Sequence, residues 1–217
     1  MANKNFRKKT LTEKNFQTGL NVLIRRDPDL AKVVEDFGPP PLWKRKPGFA
    51  TLVHIILEQQ VSLASARATL NKLMQAVSPL TPEKFLQQDD KALKAYGFSR
   101  QKTAYCRDLA ESMLNGRLEL KGLVAQNDSQ VRRTLMAVKG IGPWTADIYL
   151  LMVLRRPDIW PIGDLALVSA IQKLKQLPVR PGSDDINSLV VAWKPWRAVA
   201  ARILWHYYLN YNGSCPD

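Results

Sequence analysis

The chain has 217 residues, with 32 Lys and Arg against 19 Asp and Glu and a formal net charge of +13. An apolar content of 46% supplies a core and excludes a disordered basic tail; no stretch approaches the ~18 uncharged apolar residues of a membrane span, and no apolar segment follows the basic N-terminus as a secretory leader would require. Cys106 and Cys215 form no CxxC pair, which excludes zinc ribbons and four-cysteine iron–sulfur clusters and fits a reducing compartment, while the surplus of positive charge favours a polyanionic partner, most often nucleic acid.

The apolar period is helical almost throughout. Thr12 caps a helix carrying Phe16, Leu20, Leu23 and Ile24, and Asp27-Pro28 opens a second that ends before Gly38. GPPPLWKRKPG (38–48) is a stiff, basic connector and the best place for a subdomain boundary; the residues before it are too few to bury much alone and are expected to dock on the rest. Phe49 to Gln60 reads as a helix apolar on most of its circumference. Ser62 starts the next, Thr81-Pro82-Glu83 a short one, and Lys91 to Tyr96 another closed by Gly97. Helices are further predicted over Ser99 to Asn115, Asp128 to Val138, Trp144 to Leu154, Leu165 to Leu174, Asp184 to Trp193 and Trp196 to Tyr211. No alternating run is long enough for a strand, so the expected fold is all-α: about ten short helices in two closely packed subdomains with a cleft between them.

The most specific local signal is VKGIGPWTAD (138–147). A helix ends near Val138, two glycines flank one apolar residue, and a proline stands where a new helix would begin. The pattern fits a tight corner between helices that needs glycine only to turn. It equally fits an anion site, because glycines let the backbone approach a bulky group and the free N–H groups of such a turn point at it. For a strongly basic chain the obvious anion is a phosphodiester.

GIGxxTA followed about twenty residues later by Gly163-Asp164, in WPIGDLAL (160–167), resembles the helix–hairpin–helix, Gly-Pro and aspartate superfamily of DNA glycosylases. Two further stretches are similar to its 3-methyladenine DNA glycosylase II family: WKPWRAVAARILWHYY (193–208), like that family's C-terminal helix, and ILEQQVSLASA (56–66), like the helix pair before the group that enters DNA. The resemblance covers roughly residues 45–211 and implies one helix–hairpin–helix DNA glycosylase domain over 1–217, with the hairpin at 129–154, in the compact form that lacks an N-terminal β-rich domain.

The resemblance implies roles for named residues. Asp164, on its own merely an N-cap of the following helix, becomes the catalytic carboxylate that stabilises an oxocarbenium-like sugar and orients water. Trp144, Trp205 and Tyr149 become rings of the base pocket, where cation–π attraction selects a charged base; the family's pocket tyrosine aligns with Ile148 here. Gly140, Gly142, Lys139 and Thr145 contact DNA, and Gln60 stands where the family's wedge enters the duplex, although a solvated polar turn is the plain reading of that residue. Lys44, Arg45, Lys46 and Arg100 are expected at phosphates, Asp147 in a structural or surface role, and Asp158 in solvent. Bifunctional relatives carry a lysine where Trp144 stands, so simple hydrolysis without strand cleavage is expected.

The predicted function is excision of alkylated purines of the 3-methyladenine and 7-methylguanine type from double-stranded DNA, by a monomer that uses no cofactor, no metal, no nucleotide and no membrane, in the cytoplasm of a bacterium or the nucleus of a eukaryote. Three other readings share parts of the pattern: a non-enzymatic duplex-binding module, which has no use for Gly163-Asp164; a glycosylase for uracil, an oxidised base or a mismatch; and an RNA-binding helical protein.

Overall fold

Short polar side chains start most of the helices. In the computed structural model, which describes residues 10–211, Thr12, Asp27, Ser62, Thr81, Asp89, Ser99, Asn127 and Asp164 each accept a first-turn backbone N–H. The helices that follow are α1 (Glu13–Arg26), α2 (Pro28–Phe37), α3 (Phe49–Leu57), α4 (Leu63–Ala76), α5 (Pro82–Leu86), α6 (Asp90–Tyr96), α7 (Arg100–Leu114), α8 (Asp128–Met136), α9 (Pro143–Ile148), α10 (Leu165–Leu174), α11 (Ser183–Val191) and α12 (Arg197–Tyr211). A 3-10 turn at Lys121–Ala125 and a π-helical turn at Tyr149–Val153 complete the set, and no strand occurs among the described residues. Among the described residues no helix is long and apolar enough to cross a membrane.

Three elements differ from the sequence reading. The helix predicted to Gln60 stops at Leu57, because Glu58 caps it and Gln60 takes a left-handed φ of 56°. The helix predicted over Trp144 to Leu154 begins at Pro143 and widens into the π turn, where Leu154 N–H donates to Tyr149 C=O. That apolar run has no polar face to keep in water; with the wider turn Tyr149, Leu150, Leu151 and Val153 are all buried. The 3-10 turn is too short, and contains Gly122, to give a helical period.

The chain divides into two compact units, one of residues up to Lys44 together with those from Arg155, the other Arg45–Leu154. The first crossing falls inside the proline-rich connector, and the chain returns at Leu154 and Arg155. In the first unit α12 packs on α1, α2 and α10. It is covered on every side, so Ala198 through Leu204 are buried without a break. Among them is the Arg202 guanidinium, which donates to Ala198 C=O (2.8 Å) and to Trp43 C=O (3.1 Å) and so ties the connector to the helix; burial, with help from Arg155, pulls its pKa down to about 9.

Asp27 closes the same unit from the other side. One carboxylate oxygen caps α2 at Asp29 N–H (3.0 Å) and Leu30 N–H (3.3 Å); the other accepts the indole N–H of buried Trp193 (2.8 Å) and lies 3.5 Å from Lys175 Nζ. Asp27→Ala removes a cap and leaves a buried donor unpaired, a loss of about 2–4 kcal/mol, read as a lower urea midpoint at unchanged slope.

In the second unit α3 is the centre, with α4, α7 and α9 around it and an edge-on and tilted cluster of Phe49, Phe85 and Phe98 at centroid spacings of 5.7 and 5.8 Å. Arg45 forks onto Glu58 at the end of α3, with N–O distances of 2.6 and 2.8 Å. Cys106 is buried, and burial raises its thiol pKa; Cys215 lies outside the described residues.

Candidate DNA-binding and base-excision site

The hairpin lies in the second unit. After α8 the chain turns through Lys139, Gly140, Ile141 and Gly142 into α9. Ile141 N–H donates to Val138 C=O (3.1 Å) and Lys139 N–H to the Asp108 carboxylate of α7 (2.9 Å), so two of the turn's donors are already used. Among the described residues the N–H groups of Gly140 and Gly142 have no partner, both glycines are partly exposed, and the Lys139 side chain is in solvent. Gly140 has φ 87°, and the Tyr105 ring of α7 lies where its Cβ would be. Trp144, in the first turn of α9, is half-buried.

The turn between α3 and α4 belongs to the same unit. Gln60 is exposed, and Val61 (44%) and Leu63 (51%) are apolar side chains left in solvent beside it. Gln59 is half-buried and donates from Nε2 to Gly140 C=O and to Thr145 Oγ1, each at 2.9 Å.

The carboxylate lies in the first unit. The chain reverses at Gly163, φ 79°, and Asp164 caps α10, its Oδ1 accepting Leu167 N–H at 2.9 Å and the indole N–H of Trp205 at 3.3 Å. Asp164 is 8% exposed between exposed neighbours, Ile162 at 56% and Leu165 at 63%, so it sits just under the surface at a helix N-terminus. Trp205 is half-buried on α12.

Several expected site residues lie elsewhere than in solvent. Tyr149 is fully buried in the π turn and offers no ring face; its hydroxyl has no hydrogen-bond partner, and burial pushes its pKa up to about 12. Thr145 is 1% exposed, and its hydroxyl is taken by Gln59, so it braces the hairpin from within. Arg45, expected at a phosphate, is engaged by Glu58, and Asp158, expected in solvent, is held by Arg197 at 2.7 and 3.0 Å. Asp147 is buried and paired with Arg132. Lys44, Lys46 and Arg100 are exposed. The sequence does not mark Gln59, Tyr105 or Asp108: Gln59 lies within the EQQVS stretch, and nothing local sets the other two apart.

The second unit thus carries a glycine hairpin with open N–H groups at Gly140 and Gly142, and the first a carboxylate that caps a helix just under the surface. Residues 53–195 match the family described as HhH-GPD superfamily base excision DNA repair protein, and this chain belongs to it. It is 34% identical over 105 residues, 48% of this chain, to the DNA-3-methyladenine glycosylase of Bacillus subtilis. The chain spans less than two thirds of the two Bacillus subtilis relatives it matches, 64% of one and 35% of the other. Among solved structures it is similar to the DNA-3-methyladenine glycosidase of Bacillus halodurans (TM-score 0.72, 29% identity, 90% of this chain and 91% of that one). It also shares the fold of the 3-methyladenine DNA glycosylase of Schizosaccharomyces pombe in complex with abasic DNA (TM-score 0.78, 23% identity, 94% and 100% covered).

Proposed function

We propose that this protein is a monofunctional DNA glycosylase that hydrolyses the N-glycosidic bond of alkylated purines in double-stranded DNA and leaves an abasic site for base-excision repair. The observation that carries the reading is the Asp164 carboxylate, held at the N-terminus of α10 by Leu167 N–H and the Trp205 indole, in a chain of this superfamily. Relatives of 34% and 29% identity, named for 3-methyladenine, support the substrate class.

The chemistry follows from the leaving group. Alkylation at N-3 or N-7 gives the purine a positive charge and weakens its bond to C1′, so the base departs with the bonding electrons and needs little acid. Positive charge then builds on the sugar, and a fixed carboxylate stabilises that charge without reorganising. Water adds its oxygen to C1′ and gives up a proton to Asp164 or to solvent. Trp144 and Trp205 supply electron-rich faces that attract a cationic base more than a neutral one, by about 0.5–2 kcal/mol per ring. Gly140 and Gly142 N–H groups and Lys139 hold phosphates, and Gln60 fills the space left by the extruded nucleotide. Trp144 offers no amine for a Schiff base, so the strand stays whole. The protein works as a monomer without a cofactor, wherever the genome lies.

The test is incubation with methylated duplex DNA, with chromatography of the released bases and strand analysis without alkali. Free 3-methyladenine or 7-methylguanine and an intact, abasic strand are expected. No free base overturns the glycosylase reading, and direct nicking overturns the hydrolytic one.

A further inference from the structure

The turn that carries Gln60 and the hairpin are far apart in sequence, yet one side chain joins them. Gln59 Nε2 uses both of its hydrogens, one on Gly140 C=O and one on Thr145 Oγ1, at 2.9 Å each. Neither acceptor is incidental. Gly140 is the glycine that the hairpin cannot replace, and Thr145 is enclosed in the first turn of α9. Helix α7 braces the same two segments from behind: Lys102 Nζ donates to Leu57 C=O (2.6 Å) at the end of α3, and Asp108 accepts Lys139 N–H (2.9 Å).

What the turn presents is unusual for a solvated loop. Gln60 holds a left-handed φ of 56°, a conformation that non-glycine residues adopt at a cost, and apolar Val61 and Leu63 stand in solvent next to it. A strained tip with exposed apolar flanks suits insertion between stacked bases. Insertion works only if the tip cannot recede when the stack resists, and residue 59 is one peptide away from it.

We propose that Gln59 is a positioning residue: its side-chain amide fastens the turn bearing Gln60 to the hairpin at Gly140 and Thr145, so that the tip entering the duplex and the backbone gripping the phosphates act as one rigid piece. This rests on the glycosylase reading above. The amide touches neither base nor sugar. It transmits to the tip the reaction force that the hairpin takes from the DNA backbone, and it matters in proportion to the work of opening the pair.

That proportion separates it from a merely structural bond. In single-turnover release of 7-methylguanine, the lesion is placed opposite cytosine or opposite an abasic-site analogue, where little pairing has to be broken. Gln59→Met keeps the length and loses both donors; it is expected to slow release from the paired template about tenfold more than from the unopposed one, the scale of two neutral hydrogen bonds. Thr145→Val removes one of the two acceptors and is expected to show the same selectivity at about threefold, which keeps the test open should Gln59→Met fail to fold by circular dichroism. Equal losses on both templates, or none on either, overturn the proposal while leaving the glycosylase reading intact. A wild-type protein that releases no base from either template overturns both.

Discussion

Asp164→Asn is expected to lose base release by at least ~10²-fold, about 3 kcal/mol of transition-state stabilisation, while keeping duplex binding and thermal stability. The substitution is a clean one because of what Asp164 does in the fold. Its Oδ1 accepts Leu167 N–H and the Trp205 indole N–H, and an asparagine carbonyl oxygen accepts both as well. Asparagine is as good an N-cap as aspartate, so α10 keeps its start. What disappears is the negative charge, which in the proposed mechanism is what stabilises the sugar as it becomes cationic. Release is read by chromatography of free 7-methylguanine and binding by fluorescence anisotropy on an uncleaved duplex. Undiminished release removes the catalytic assignment of Asp164 outright; a parallel collapse of melting temperature shows that the cap, not the charge, was lost. Asp164→Ala separates the two further, since alanine gives up the cap as well, at about 1 kcal/mol.

The parts of this site that were legible in the sequence are those whose physics is local. A cap is read from one residue and the helix after it, which is why Thr12, Asp27, Ser62 and Asp164 fall where the sequence places them. The hairpin is legible because Gly140 permits a left-handed turn and Pro143 fixes the first φ of α9, both within four consecutive residues. What the sequence hides is which side chains meet across elements. Trp205 reaches Asp164 over 41 positions and Gln59 reaches Thr145 over 86, and no periodicity encodes either pairing. Facing is also lost where a helix is covered all round. The run through Ile148 to Leu154 has no polar stripe, so nothing in it distinguishes a Tyr149 that lines a pocket from one sealed in the core, where it lies. Charge misleads in the same way: Arg45, between Lys44 and Lys46, reads as a phosphate contact until Glu58 is seen to hold it.

Gly140→Ala is expected to cost about 2–5 kcal/mol of stability, whereas Gly142→Ala two residues away changes it little. The difference is legible in the backbone. Gly140 sits at φ 87°, which costs an alanine about 1–2 kcal/mol, and its new methyl would fall inside the Tyr105 ring, adding about 1–3 kcal/mol for the displacement. Gly142 sits at φ −92°, open to any residue, with nothing near the place its Cβ would take. The fold therefore requires glycine at the first position and not at the second, where the proposed phosphate contact is what a methyl would crowd. Gly142→Ala should accordingly fold normally and still bind duplex more weakly, with the melting temperature and the anisotropy titration moving independently. The steric and dihedral parts of the Gly140 effect separate in a double-mutant cycle with Tyr105→Ala, which clears the space but leaves the left-handed φ in place. A residual cost of about 1–2 kcal/mol in the double variant, relative to Tyr105→Ala alone, assigns the remainder to the ring, and a cost that disappears altogether means that the turn relaxes and its handedness is not what holds the hairpin.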